Sequence, residues 1–383
     1  MTLLLDIADL SDAASDAAFE FMCKAAGDDP LSDAIWDAHP SPFIARLVEL
    51  FTERGLLRLT DCREELQRWM QGALHNPGLI PARPSGSMLR WTPAEMQLVR
   101  IYLTALPPAS FALEDYMLLT DFLFQRYLPA DDMTTEAQWL STRASLMGRV
   151  QGNLLNITAA QADVLLGALP ITVAAAKQLF DFTAVQASVM EYADAHAIEY
   201  ATAFSDGARH SIKKVILDVH QENAATPGMI PGRLQSRLFD QFASLNRDWR
   251  RIAITESGNA MLEGTVATLA PGRKLKRVEQ YRGSCSYCKS IDGKVVTVVD
   301  PKTPDKNGDT MVWSGKTNVG RSAARRKRVG GELIEREPDE LYWLPAGLAH
   351  PNCRGRWVPT ADGGPADPNF SLWVDRLIGE SSA

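Results

Sequence analysis

Two short segments near the end of the chain constrain its fold more than any other feature. Cys285-Ser-Tyr-Cys288 puts two thiols on one tight turn, and His350-Pro-Asn-Cys353 offers an imidazole and a third thiol at the same spacing. Thiolate sulfur and imidazole nitrogen are the donors zinc favours, and two donors two residues apart bite one ion with little entropy lost in the short loop. If the pairs meet, Cys285, Cys288, His350 and Cys353 make a complete tetrahedral set that closes a loop of 61 intervening residues. Four protein ligands leave no position for water or substrate, so the expected cofactor is a structural zinc ion that holds the fold. A disulfide between Cys285 and Cys288, or free thiols with His350 an ordinary polar residue beside a proline, are the alternatives.

The other two of the five cysteines, Cys23 and Cys62, sit singly in helical patterns and read as small buried apolar residues. Met1-Thr-Leu-Leu-Leu-Asp lacks the basic flank and cleavage site of a secretion signal, so a disulfide framework is not expected. The longest apolar runs, such as Ile171 to Leu179, fall far short of the ~20 residues needed to cross a bilayer. With 383 residues and 45% hydrophobic content the chain has enough apolar surface for two or three folded domains. Its formal net charge of -7 is uneven: the stretch 273–356 carries 18 Lys+Arg against 10 Asp+Glu, so the rest is strongly acidic. Such asymmetry suits an anionic partner for the C-terminal part, although solvated basic loops give the same count.

Helix signals dominate the first 265 residues. Ser41-Pro42 followed by Phe43, Ile44, Leu47, Val48 and Phe51, then Gly55, predicts a capped helix with a glycine stop. Asp61 with Glu64, Thr92-Pro93 with Glu95, and Thr158 with Gln161 are spaced as capping boxes and predict three further helix starts. The proline- and glycine-rich stretch 76–87 is a loop, a helix is expected over Phe111 to Leu128, and Ala130-Asp-Asp-Met-Thr-Thr reads as a linker. Ile171 to about Asn223 stays helical, and a second amphipathic segment from Leu234 to about Leu262 presents Leu238, Phe242, Leu245, Trp249, Ile252 and Ile254 on one broad face. At Pro271-Gly272 the texture turns to short β-like runs, with Lys294-Val-Val-Thr-Val-Val the clearest strand and Asn307-Gly308 a hairpin turn. The expected fold class is therefore α+β: mainly α-helical N-terminal and central regions followed by a small zinc-stabilised α+β module. The domains are 1–132 (N-terminal, helical), 133–265 (central helical bundle or arm) and 266–383 (C-terminal), the last with a basic insertion at 300–339.

Three segments in order, Arg247-Asp-Trp-Arg-Arg-Ile-Ala-Ile-Thr-Glu256, Cys285-Ser-Tyr-Cys288-Lys-Ser-Ile-Asp-Gly293 and Ala349-His-Pro-Asn-Cys-Arg354, resemble the head-morphogenesis family of tailed phages, the minor head proteins of Mu F type. The resemblance covers about residues 205–358. It implies a minor capsid protein of the virion that is assembled in the host cytoplasm, joins the head near the portal and contacts portal or major capsid protein. It also implies that the protein is retained in the particle or leaves with the DNA. Two positions depart from the family pattern: Gly355 stands where a second cysteine usually follows the arginine, and Ile254 where an arginine usually precedes Thr-Glu. No activity is assigned to Thr255 or Glu256.

Within the insertion, Arg321, Arg325, Arg326, Lys327 and Arg328 could neutralise phosphates of packaged double-stranded DNA, although a solvated basic loop or an acidic capsid surface fits the same charges. The reading is that of an assembly protein without a small-molecule substrate. The rivals are a treble-clef nuclease and a toxin or effector domain on a phage scaffold. A nuclease needs a histidine beside the scissile phosphate, and His350, which alone follows His220, is already used as a ligand. His39, His75, His196, His210 and His220 show no catalytic arrangement.

Overall fold

A computed structural model describes residues 39–84, 90–150, 157–225, 231–360 and 367–380, and Cys23 lies outside them. The chain has the expected α+β class, mainly helical with a small sheet near its C-terminal end. Helices α1 (Pro42–Met70), α2 (Pro93–Ala105), α3 (Leu113–Tyr127), α4 (Ala130–Met147), α5 (Ala159–Ala168), α6 (Val173–Leu179), α7 (Ala184–Ala225) and α8 (Pro231–Thr268) come first. Strand β1 (Lys274–Val278), the short helix α9 (Ser286–Ile291) and strands β2 (Val295–Val298), β3 (Met311–Val312), β4 (Arg326–Val329), β5 (Glu332–Glu335) and β6 (Arg356–Pro359) follow, and α10 (Pro368–Glu380) is last. No single described helix is long and apolar enough to cross a membrane.

Two compact units form, and they interleave along the chain. One draws on the described residues of 39–48, 139–195 and 253–380, the other on Glu49–Gln138 and His196–Ile252. In the second unit, Phe51, Leu59, Leu119, Leu123, Phe242 and Trp249 are buried to 2% exposure or less. Trp249 stacks on Phe51 with ring centroids 4.5 Å apart, and its indole N–H donates to the Phe51 carbonyl at 3.0 Å. The expected glycine stop is not there: α1 runs on through Gly55, whose missing Cβ, which would lie 1.8 Å from the Trp249 indole nitrogen, makes room for that ring. Asp61 and Glu64 are consequently interior positions of the same helix rather than a start.

The capping boxes at Thr92/Glu95 and Thr158/Gln161 form as expected, each side chain bonding the other residue's backbone N–H. Ala130-Asp-Asp-Met-Thr-Thr is not a linker but the first turns of α4, where acidic Asp131 and Asp132 favour the helix N-terminus. The helical run from Ile171 breaks at residues 180–183, where Thr183 caps α7 through Gln186. Among the described residues of 76–87, positions 76–84 carry no helix or strand; Arg83 reaches out of this loop to Asp115 at 2.9 Å.

In the first unit α4 and α8 approach closely enough to require glycine on both sides. A Cβ at Gly148 would lie 2.2 Å from the Met261 carbonyl oxygen, and one at Gly264 would lie 2.4 Å from that of Ser145. The sheet has the order β3-β2-β1-β6, with β1 antiparallel to both neighbours and β2 parallel to β3. Parallel pairing excludes the hairpin expected at Asn307-Gly308; Asn307 instead caps a local turn by accepting from the N–H groups of Asp309 and Thr310. Leu275 and Arg277 of β1 face inward with Val296, Val298, Val312 and Trp357.

The chain between β3 and β6 is tied to α8 at several points. Thr255 Oγ1 accepts from the Asn352 N–H at 2.9 Å, Asn259 Oδ1 accepts from the Leu348 N–H at 2.8 Å, and Glu263 accepts from the Gly315 N–H at 2.9 Å. Gly258 admits the Leu348 side chain, which a Cβ would meet at 2.9 Å.

Candidate metal centre

Cys285 is the N-cap of α9, and its sulfur accepts the Cys288 N–H at 3.4 Å, which holds both thiols on one side of the turn. The second pair comes from the turn before β6. Asn352 adopts φ +63°, a left-handed conformation asparagine tolerates, and its N–H is anchored on Thr255 of α8. Cys353 follows it with its N–H on the His350 carbonyl at 3.3 Å. Thr255 thus has a structural part: it fixes the turn that carries the imidazole and the third thiol.

Cys285, Cys288 and His350 converge, and Cys353 joins them through Cys288. His350 Nε2 lies 3.2 Å from Cys285 Sγ and 3.2 Å from Cys288 Sγ, and Cys288 Sγ lies 3.8 Å from Cys353 Sγ. A tetrahedron with metal–sulfur bonds of about 2.3 Å has a sulfur–sulfur edge of about 3.8 Å, so the spacing of Cys288 and Cys353 is that of two ligands of one ion. The cysteines are not disulfide-bonded. His350 Nδ1 stands 2.8 Å from the Pro351 carbonyl, an acceptor only, so Nδ1 carries a hydrogen and Nε2 is the nitrogen left to bind a metal once its own proton is displaced. This donor set could hold a metal ion.

Backbone and hydroxyl donors surround the sulfurs. The Gly355 N–H and the Tyr281 hydroxyl each reach Cys353 Sγ at 3.4 Å. The hydrogen bond with Cys288, helped by His350, holds the Cys285 thiol down to about 4. Burial opposes ionisation of Cys353, but the bond with Cys288 and the positive charges of His350 and Arg277 draw it well below the ordinary thiol range. Cys288, bonded to both other sulfurs and buried, is pushed the opposite way. His350 is raised to about 9: its burial is outweighed by the bond to Cys285 and the nearby thiolates. Two sulfurs are therefore poised as thiolates, the form that binds metal.

Beside this cluster lies an ion pair with no solvent exposure at all, Arg277 Nε to Glu279 Oε1 at 2.7 Å. Arg277 also donates to the Gly347 carbonyl at 3.0 Å and lies over the Trp357 ring. Burial raises Glu279 to about 7. Glu279, Cys288 and Cys353 form a second donor triad that shares Cys288 with Cys285 and His350. Glu279 escaped the sequence reading because no short-range spacing links it to either pair; only the pairing of β1 with β6 brings it to the sulfurs.

The chain matches no known protein family, no curated protein and no solved structure.

The basic run is divided by the structure. Arg321 stacks on Trp343 at 3.7 Å and donates to the Leu341 carbonyl, and Lys327 pairs with Glu340 at 2.6 Å. Arg325, Arg326 and Arg328 remain exposed on a two-stranded ribbon, β4 paired with β5 and turned by Gly330 and Gly331 at φ +59° and +94°. The insertion is also more than a surface excursion. Lys316 is 1% exposed, bonded to the Met311 carbonyl at 2.9 Å and flanked by the Trp313 and Trp343 rings, and burial lowers it to about 8. His39, half-buried as a residue, has its Nε2 closed off without a partner, and burial lowers it to about 4; Arg354 and Arg356 also bear on it.

Proposed function

We propose that this protein is a minor head protein of a tailed phage that acts in head morphogenesis near the portal, with a structural zinc ion clamping its C-terminal module. The observation that carries the reading is the meeting of three sequence segments that are far apart in the chain. Thr255 of the first segment holds the turn of the third, and the third brings His350 and Cys353 to Cys285 and Cys288 of the second. These are the segments whose order and spacing resemble the head-morphogenesis family. Zinc is the ion proposed, because three sulfurs and one imidazole nitrogen in a part-buried cluster suit a d¹⁰ ion with no redox chemistry.

Such a centre supports assembly rather than turnover. All four ligands come from protein, and a closed tetrahedral ion has no position for substrate. Portal or major capsid protein is the proposed partner, and the exposed Arg325, Arg326 and Arg328 are proposed to meet packaged double-stranded DNA inside the virion.

Mass spectrometry of purified procapsids and mature particles, with metal analysis of the purified chain, tests this. The expected result is the intact chain in procapsids and one zinc per chain. Absence of the chain from both particles overturns the virion reading, and magnesium-dependent DNA cleavage lost in His350→Ala overturns the non-enzymatic one.

A further inference from the structure

The metal centre has five donors for four coordination positions. Glu279 belongs to it by distance: its Oε2 lies 3.5 Å and its Oε1 3.8 Å from Cys353 Sγ, the separation of the sulfurs themselves. Its two oxygens are used differently. Oε1 takes the Arg277 Nε bond at 2.7 Å, whereas Oε2 has the Cys353 sulfur as its hydrogen-bond partner.

A buried carboxylate next to thiolates carries a heavy desolvation cost unless a cation offsets it. Arg277 supplies one positive charge, yet its Nη2 has no hydrogen-bond partner although the side chain is fully buried.

The backbone is built around this carboxylate. Gly355 lacks the Cβ that would lie 2.0 to 2.5 Å from the Glu279 carboxylate atoms. Any other residue at 355 would push Glu279 away from the sulfurs, so the glycine keeps the oxygen donor in place.

On the reading that this cluster binds a metal, we propose that Glu279 is a reserve ligand, whose carboxylate takes the coordination position of Cys353 when that thiolate is not available. The ion then passes from a three-sulfur, one-nitrogen set to two sulfurs, one nitrogen and one oxygen, with Cys285, Cys288 and His350 common to both.

Cobalt(II) titration of the full-length chain tests this, with the visible ligand-field bands and the sulfur-to-cobalt charge-transfer band as readouts. The wild type is expected to take one cobalt per chain. Cys353→Ala and the closer-shaped Cys353→Ser are expected to keep that stoichiometry with the charge-transfer intensity cut to roughly two-thirds, since two thiolates replace three. Adding Glu279→Gln to either variant is expected to weaken binding by more than the ~100-fold that loss of an outer-sphere partner can cost. Far-UV circular dichroism identifies which variants fold. Cobalt lost equally from the folded single and double variants overturns the reserve-ligand role while the metal centre stands. A wild type that takes no cobalt overturns the metal reading itself, and the proposal with it.

Discussion

Glycine at position 55 sits inside a 29-residue helix, where alanine is ordinarily favoured by about 1 kcal/mol. Here the Trp249 indole occupies the space of the missing Cβ, so Gly55→Ala should reverse that sign and destabilise the protein by about 1–3 kcal/mol, read as a lower denaturation midpoint in urea. Cys288 is the residue on which both donor triads depend. Cys288→Ser should abolish stoichiometric zinc binding, whereas Cys62→Ser, which is in neither donor triad, should leave the metal content at one per chain. Glu263 carries a pH dependence. Burial raises it to about 7, so the folded state holds its proton more tightly than the unfolded chain does. Its stabilising effect is complete below the ordinary carboxylate value and is lost as pH rises to about 7, a change of up to ~3 kcal/mol. Glu263→Gln should flatten that slope, with a thermal midpoint above wild type at pH 8 and little difference at pH 4.5.

Elements divide by whether their boundaries are set locally. Thr92 and Thr158 announce their helices because the capping side chain and its partner are three residues apart, and Thr158→Ala should cost about 1 kcal/mol of stability in thermal unfolding. Asp61 and Glu64 have the same spacing yet lie inside α1, since the glycine read as a stop at 55 instead makes room for the Trp249 ring within a continuous helix. The ribbon of β4 and β5 was not legible as strands: four basic residues in a row lack the apolar alternation that marks a half-buried strand, and both strands are largely exposed. If the ribbon meets DNA as proposed, replacing Arg325, Arg326 and Arg328 by alanine should reduce the slope of log K against log salt by roughly 2–3, measured by fluorescence anisotropy.

For the whole molecule, a metal held as proposed would close a loop of 61 residues that otherwise depends on hydrogen bonds and a small core around Lys316. Chelation should lower the thermal midpoint and expose residues 300–349 to proteolysis, and re-addition of zinc should restore both. The sequence by itself determined the helical and mixed character of the chain and the four Cys and His side chains of the candidate metal centre, because capping spacings and paired soft ligands act over a few residues. Only the tertiary structure decided which distant segments join in each compact unit, that α1 continues past Gly55, and that Glu279 reaches the sulfurs. Those outcomes depend on close approaches between residues far apart in sequence, Trp249 against Gly55 and Gly355 against Glu279, and local propensity and spacing hold no record of them.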